Sequence, residues 1–244
     1  HGPRLPSPAS FQARRGEVLG FFGLIGAGRS ELMRLIYGAD PQTGGVVSVA
    51  GQDLGARSPK SAIRAGLVLV PEDRKAEGIL QGQSLAENIL VSSRRHHMRA
   101  GILNRRREAE IAERELKRLK VRTPSRHQDI VNLSGGNQQK VILCRWLSEE
   151  GVDVLLIDEP TRGIDVGAKS EIYDILYQLA ESGMAIVVVS SELPEIMGIC
   201  DRIHVMRDGR ISAEVTRADF TEETLLAAAM PEDGAASVGE GASQ

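Results

Sequence analysis

A glycine-rich stretch at residues 23–30, Gly-Leu-Ile-Gly-Ala-Gly-Arg-Ser, constrains this chain more than any other feature of its sequence. Its glycines have the spacing of a phosphate-binding loop (P-loop), G-x-x-x-x-G-[K]-[ST], with Arg29 where lysine is usual. An apolar run that includes Val18 and Phe22 precedes it and predicts a buried strand, while residues 30–37 predict a helix. The stretch therefore has the strand-to-helix context in which such a loop binds phosphate.

Phosphate binding at this loop follows from the chemistry of its backbone. Glycines let the chain curl so that successive N–H groups point towards phosphate oxygens, and the N-terminus of the following helix adds partial positive charge. The hydroxyl of Ser30 can then bind Mg²⁺. A plain glycine turn between a strand and a helix is the alternative that the stretch alone leaves open.

Composition limits the classes of protein to which the chain can belong. Its 244 residues are 41% hydrophobic, enough for a full core in one large domain or in a domain with an inserted lobe. A formal net charge of −3 argues against a general nucleic-acid binder. Cys144 and Cys200 are too few for a disulfide framework, fit a reducing compartment and are interpreted as small buried hydrophobic residues. With no run of roughly 18 apolar residues, no membrane-spanning helix is expected.

The order of the predicted elements indicates a mainly parallel α/β sheet. Apolar runs at residues 67–70, 152–157 and 185–189 predict further buried strands, separated by helical stretches. Residues 202–213 predict a hairpin with an Asp-Gly turn. Between the predicted strands at 67–70 and 152–157, the residues from about 84 to 147 are predicted to form a separate helical lobe.

The ends of the chain are predicted to lie outside the folded domain, which spans residues 16–230. Residues 1–15 begin with several prolines and no periodicity, so an irregular start is expected. Residues 231–244 are rich in Gly, Ala, Ser and Glu, so a disordered tail is expected.

Basic side chains cluster at residues 94–99 and 105–107 of the predicted lobe. Because the whole chain is slightly acidic, we interpret them as a solvated helix face, with contact to phosphate or RNA as the alternative. The adjacent His96 and His97 would diverge by about 100° on a helix, so we assign no metal site to them.

Two carboxylates at the end of a predicted strand supply the second half of a phosphate site. Asp158 and Glu159 follow the apolar run at 152–157. Beside a P-loop, the first carboxylate holds Mg²⁺, directly or through water, and the second orients or deprotonates the attacking water. An ion pair or a helix cap is the alternative for the pair taken alone.

The most specific signal is the stretch at residues 133–140, Leu-Ser-Gly-Gly-Asn-Gln-Gln-Lys, which leads into a predicted helix. Ser134 and the two following glycines form a second anion-binding cradle at the helix N-terminus. One chain folded around one nucleotide has no use for two cradles. A head-to-tail pair of domains does, because each nucleotide is then closed between the P-loop of one domain and the cradle of the other.

In their order and wording these motifs resemble those of ATP-binding-cassette domains, with residues 133–140 similar to the signature motif of that family. More narrowly, residues 23–32, 71–75 (PEDRK) and 158–169 (DEPTRGIDVGAK) resemble the second cassette of tandem-cassette proteins of bacterial monosaccharide importers, such as the ribose, galactose, arabinose and xylose systems. The resemblance covers residues 16–230. It implies an α/β fold with a P-loop NTPase (RecA-like) core, a mainly parallel sheet, an antiparallel β part and an inserted α-helical subdomain.

The resemblance also implies roles for individual residues. Ser30 and Asp158 would bind Mg²⁺, and Glu159 would be the catalytic carboxylate. Residues that would line the ATP triphosphate are Gly23, Gly26, Ala27, Gly28, Arg29 and Ser30. Residues that would serve the nucleotide of a partner cassette are Ser134, Gly135 and Gly136, together with Asp165 in the loop that crosses the interface.

Three departures from the family pattern affect the catalytic positions. Arg29 replaces a compact ammonium by a longer, planar guanidinium. Glu72 stands where the family has a glutamine that senses Mg²⁺ and couples to the permease, and Ser191 stands where its switch histidine contacts the γ-phosphate. Each lost transition-state contact typically lowers the rate by about 10²–10³. The hypothesis is that this P-loop site binds nucleotide but hydrolyses it poorly, while the intact signature serves the partner.

The resemblance implies an energy-coupling ATPase on the cytoplasmic face of a bacterial inner membrane, peripheral to it and using ATP and Mg²⁺. Its implied partners are a second cassette, either the first cassette of the same longer polypeptide or another ABC domain, the permease subunits and, indirectly, a periplasmic or extracellular sugar-binding protein; nucleic acid is not expected. Three alternatives stay open at this point. They are a cassette of a nucleoside importer, a soluble cassette protein of translation or DNA repair, and a regulatory nucleotide-binding module without chemistry.

Overall fold

A β-sheet with helices on both faces lies at the centre of the computed structural model, which describes residues 2, 5, 7–99 and 102–231. The predicted tail at 231–244 lies outside the described residues except for Pro231. The strands in this part of the chain are β1 Val18–Gly23, β2 Ser48–Val49, β3 Gln52–Asp53, β4 Leu67–Val70, β5 Met98–Arg99, β6 Ile102–Leu103, β7 Val154–Asp158, β8 Ala185–Val189, β9 Arg202–Arg207 and β10 Arg210–Thr216.

Helices connect most of these strands. The α-helices are α1 Arg29–Tyr37, α2 Pro59–Arg64, α3 Leu85–Leu90, α4 Arg105–Arg118, α5 Gly135–Leu147, α6 Val166–Glu181, α7 Leu193–Ile199 and α8 Glu222–Ala229. Shorter turns of 3₁₀-helix lie at Arg94–His97, Ile130–Asn132 and Arg217–Asp219. A five-residue π-helix at Arg74–Gly78, absent from the sequence-based prediction, follows β4 after residues 71–73.

The main sheet has the strand order β10-β9-β1-β8-β7-β4. All neighbours are parallel except β9 and β10, which form the predicted hairpin through Asp208 and Gly209. Both turn residues have positive φ, 49° and 75°, as a two-residue hairpin turn with the right-handed twist requires. The predicted α/β fold with a mainly parallel sheet is confirmed, and β1 lies at its centre.

The two faces of the sheet bury separate sets of side chains because residues alternate along each strand. On β1, Val18 and Phe22 join the core against α5–α8, whereas Leu19 and Phe21 join the core against α1 and α2. Phe11 packs on the face that carries Leu19 and Phe21, with its ring centroid 4.8 Å from that of Phe21. The start of the domain is thus fixed against β1 well before residue 16.

The helical lobe contains α3, α4 and α5 and packs onto the face of the sheet that carries Val18 and Phe22. Residues 105–107 of the basic cluster are exposed, whereas Arg94, Arg95 and His96 contact acidic side chains within the protein. Arg94 pairs with Glu87 and Glu108, and Glu149, whose side chain is buried, accepts hydrogen bonds from Arg95 and contacts His96 at 2.6 Å.

Both cysteines, Cys144 and Cys200, are free and buried, as predicted. Within the described residues, none of the helices combines the length and the apolar character needed to cross a bilayer.

Candidate functional site

The P-loop connects β1 to α1, as predicted, and its glycines are required by geometry. Gly26 and Gly28 have φ of 83° and 93°, a region that other residues rarely adopt. Gly23 is required for space instead, since a Cβ there would lie 2.4 Å from the carbonyl oxygen of Met206. Ala27 fixes the loop, donating its N–H to Leu24 and accepting from Gly209.

Helix α1 begins at this loop without a side-chain cap among the described residues. The first N–H groups of any α-helix have no partner within the helix, so here they remain available to an anion. The helix dipole adds to the attraction for negative charge. This end of α1, from Gly28 to Ser30, can therefore bind phosphate oxygens.

Asp158 is the last residue of β7. It lies at the carboxyl ends of the parallel strands, where the P-loop also lies. It is 4% exposed, and this burial raises its pKa from 3.8 to about 6. The nearby Glu159 carboxylate adds to the rise, while the neighbouring Ser30 hydroxyl and the charge of Arg29 act against it. Asp158 thus lies beside the hydroxyl that the sequence assigns to Mg²⁺.

A magnesium ion fits this pair of residues. Asp158 Oδ1 is fully buried and has no hydrogen-bond partner in the described part of the chain, an arrangement that costs free energy unless something else binds the oxygen. A carboxylate and a hydroxyl supply the hard oxygen ligands that Mg²⁺ prefers alongside phosphate. Ser30 and Asp158 are the residues that would hold the ion, which would neutralise charge on a bound triphosphate.

Glu159 follows Asp158 in a left-handed backbone conformation, with φ of 50°. Its N–H donates to the carbonyl of Val189 on the neighbouring strand β8, which fixes the residue at the sheet edge. Burial raises the pKa of its carboxyl, while the neighbouring Ser191 and the charge of Arg29 act against the rise. A carboxylate with a raised pKa at the end of a central strand is suited to accept a proton from water.

The guanidinium of Arg29 is turned towards this carboxylate. Its Nη1 donates to the carbonyl oxygen of Ser190 at 2.8 Å, and its Nη2 lies 3.9 Å from Glu159 Oε1. The side chain is 10% exposed. Arg29, the residue that departs from the P-loop pattern, is therefore already bound to Ser190, which follows β8, and to Glu159.

The turn after β8 also contacts Glu159. Ser191 donates its backbone N–H to Glu159 Oε1 at 2.8 Å. Behind it, the buried Glu195 accepts hydrogen bonds from Ser190 Oγ at 2.5 Å and from Thr161 Oγ1 at 2.7 Å. Glu195 thus joins the segment after Glu159 to the turn that carries Ser191.

Glu72 follows β4 and forms an ion pair with Arg162, in the segment after Glu159. Its negative charge is therefore compensated by a neighbouring cation within the chain. The structure shows no contact between Glu72 and the P-loop among its hydrogen bonds and ion pairs in the described residues.

The signature residues lie at the start of α5. Ser134 caps the helix, accepting from the backbone N–H of Asn137. A cavity of about 210 Å³ lies there, lined by Ser134, Gly136 and Asp165 with Arg122, Asn137, Gly167, Ala168 and Glu171. No residue of the P-loop lines it in the described part of the chain. The sequence-predicted residues thus form two groups, one at the P-loop and one at this signature cavity.

Sequence reasoning gave no role to Glu195, Arg162 or Arg74, which hold the site together. Glu195 lies in a short apolar helix and carries no local signal. Arg74 and Arg162 belong to stretches that the sequence singles out by resemblance, but the motifs do not show that the two residues contact each other.

The chain matches the family described as "ABC transporter" over residues 7–162, more than half of its length. It is 67% identical to the arabinose import ATP-binding protein AraG of Rhizobium meliloti (strain 1021), over 96% of this chain and 46% of that protein. It is 66% identical to the AraG of Rhizobium etli, over 96% of this chain and 47% of that protein. The chain thus spans about half the length of these relatives.

Among solved structures, the chain superposes on MJ1267, an ATP-binding cassette of an ABC transporter, with a TM-score of 0.77. The superposition covers 91% of each chain at 21% sequence identity, which shows a shared fold.

Proposed function

Because this chain belongs to the ABC transporter family, we propose that it is a cassette that couples ATP binding and hydrolysis to import of a monosaccharide through a membrane permease. One observation carries the proposal: phosphate-binding and carboxylate groups gather at the P-loop, while the signature cavity lies apart from them. Arabinose is the first candidate cargo, since the similar proteins are named arabinose importers.

The separation of the two groups favours a head-to-tail pair of cassettes. Each nucleotide would lie between the P-loop of one cassette and the signature cavity of the other. The second cassette is the first half of a longer polypeptide or a separate ABC domain, and the half-length match to the relatives supports the former. The pair would dock on permease subunits at the cytoplasmic face of the membrane and receive sugar through an extracytoplasmic binding protein.

The pair would be uneven, with the P-loop site of this chain hydrolysing ATP poorly. Arg29 is held by Ser190 and Glu159, and these contacts compete with a bound triphosphate. Ser191 bonds to Glu159 and has no imidazole to offer the γ-phosphate. By contrast, the signature residues keep an open cavity for a partner nucleotide.

Phosphate release tests this function. Turnover is measured with the chain alone and after mixing with the cassette encoded beside it, each with wild-type Ser134 and with Ser134→Arg. Turnover that appears only in the mixture and is lost with Ser134→Arg supports a signature that completes a site held elsewhere. Equal turnover without the partner, proportional to concentration and abolished by Glu159→Gln, refutes the uneven pair.

A further inference from the structure

The segment Glu72–Gly78 has a rare backbone form. Its last five residues make one turn of π-helix, closed by a hydrogen bond from Ile79 N–H to the carbonyl of Arg74. Asp73 caps the turn, accepting from the backbone N–H groups of Lys75 and Ala76 at 3.0 Å. Such turns occur frequently at functional sites. Here the turn fixes the backbone from which the side chain of Arg74 extends.

The guanidinium of Arg74 binds a loop almost ninety residues later in the chain. Its Nη1 donates to the carbonyl of Arg162 at 2.6 Å, and its Nη2 donates to the carbonyl of Gly163 at 3.0 Å. The rigid fork of a guanidinium matches two consecutive carbonyls with two separate nitrogens, a geometry that the single nitrogen of a lysine does not reproduce. The loop then reaches Asp165, the cap of α6 and a lining residue of the signature cavity.

The same guanidinium packs against the signature glycine. A Cβ at Gly135 would lie 2.5 Å from Arg74 Nη2 and 3.0 Å from the carbonyl oxygen of Gly163. Gly135 is absent from the residues with positive φ, so glycine is favoured here by the space that the Arg74 guanidinium and the Gly163 carbonyl occupy, rather than by the backbone conformation. Arg74 therefore lies between the start of α5 and the loop before α6.

Two further contacts reinforce this junction. Glu72 forms an ion pair with Arg162, the residue whose carbonyl accepts from Arg74. The Nε of Arg74 lies 3.4 Å from Gln138 Oε1, on the first turn of α5. The start of α5 and the loop before α6 both supply lining residues of the signature cavity, and both are thus connected to the segment Glu72–Gly78.

We propose that Arg74 is a positioning residue that fixes Gly135 and the Arg162–Asp165 loop relative to each other, so that the signature cavity keeps the shape a partner nucleotide needs. The inference rests on the proposed function, in which this cavity serves a second cassette. Arg74 itself contacts no nucleotide in this scheme and acts through the loop and the helix start.

Amide hydrogen exchange tests the contact without any partner. In Arg74→Gln, exchange at residues 162–165 and 134–136 should become about tenfold faster, because two charge-assisted hydrogen bonds are lost. Arg74→Lys should give an intermediate increase, and Gly135→Ala should accelerate exchange at 162–165 by displacing the guanidinium. Arg106→Gln, which removes an exposed ion pair on α4, is the matched control. Unchanged exchange at 162–165 in Arg74→Gln overturns the proposal.

Turnover of the mixed cassettes tests the consequence. Arg74→Gln should lower it about tenfold, with partial recovery in Arg74→Lys, while the ATP affinity of the isolated chain and its Tm stay close to wild type. Loss of both affinity and Tm would show general unfolding and overturn a positioning role. If Ser134→Arg abolishes turnover and Arg74→Gln leaves it unchanged, the inference fails and the proposed function stands. If Ser134→Arg has no effect, the proposed function fails, and this inference with it.

Discussion

Arg29 Nη2 lies 3.9 Å from Glu159 Oε1, so the cation of the P-loop and the carboxylate beside it form a buried ion pair. The same guanidinium donates to the carbonyl of Ser190. A triphosphate bound to the loop would draw Arg29 away from both groups, because its donors point in fixed directions. This competition is the physical basis of the low hydrolysis expected at this site.

Arg29→Lys is expected to raise the low residual ATP turnover of the isolated chain about tenfold or more, which is part of the effect of one transition-state contact. A lysine has one compact ammonium in place of the Nη1 and Nη2 atoms that contact Ser190 and Glu159, so it competes less with a bound phosphate. Initial rates of phosphate release at saturating Mg²⁺-ATP measure the effect. Arg34→Lys, on the same helix and paired with Asp40 and Glu77, should leave the rate unchanged. Equal rates for Arg29→Lys and wild type would show that the ion pair does not limit turnover.

Glu159→Gln should keep nucleotide binding and reduce any remaining hydrolysis by about 10²-fold or more, since a general base typically contributes that much. The amide can still accept the N–H of Ser191, so the turn after β8 is retained. Binding of a fluorescent ATP analogue and single-turnover hydrolysis separate the two effects. Glu192→Gln, which removes an exposed partner of Lys169, is the control. Undiminished hydrolysis in Glu159→Gln would assign the base to another group.

Asp158 makes stability depend on pH in a defined direction. Its pKa is raised from 3.8 to about 6 in the folded chain, so it favours folding at low pH and this contribution is lost as pH rises through about 6. Asp158→Asn should therefore raise the Tm at pH 7.5 and flatten its dependence between about pH 4 and 6, relative to wild type. Thermal unfolding across this range measures the difference. A lower Tm for the variant at pH 7.5 would contradict the burial argument.

The same variant should lose the part of ATP binding that depends on Mg²⁺. In wild type, this part should weaken as pH falls through about 6, because the protonated carboxyl binds a cation poorly. Titration of a fluorescent ATP analogue with and without EDTA measures it. If EDTA weakens binding to Asp158→Asn as much as to wild type, Asp158 is not a ligand.

Glu195→Ala should destabilise the chain by about 2–3 kcal/mol, because it leaves the hydroxyls of Thr161 and Ser190 buried without their acceptor. Denaturant unfolding gives this difference. Glu195→Gln keeps the shape and an acceptor oxygen, and should lose much less. Similar losses in the two variants would mean that the charge of Glu195, rather than its hydrogen bonds, holds the turn.

The sequence predicts the central fold because its signals are local. The apolar runs that become β4, β7 and β8 and the Asp-Gly turn of the last hairpin each depend on a few adjacent residues. The P-loop and the Asp158–Glu159 pair meet because parallel strands place their carboxyl ends on one edge of the sheet. Strand periodicity and strand order are thus enough to bring these groups together.

Contacts between distant residues could not be predicted in this way. Arg74 and Gly163 are separated by 89 positions, and nothing in the local pattern of either shows that they bind. The π-helix at Arg74–Gly78 also depends on its surroundings, since no sequence period identifies a single such turn. The orientation of Arg29 depends on the Ser190 carbonyl, whose position is set by the sheet.

The packing of Gly135 against Arg74 has an evolutionary consequence. Since a methyl group at 135 and a guanidinium at 74 compete for one volume, the two positions should change together among homologous chains. Homologous chains with a larger residue at 135 should have lost the arginine at 74 or have its guanidinium displaced, whereas those that keep the contacts of Arg74 should carry glycine at 135. The two positions are therefore expected to be inherited as one unit, although they belong to different motifs.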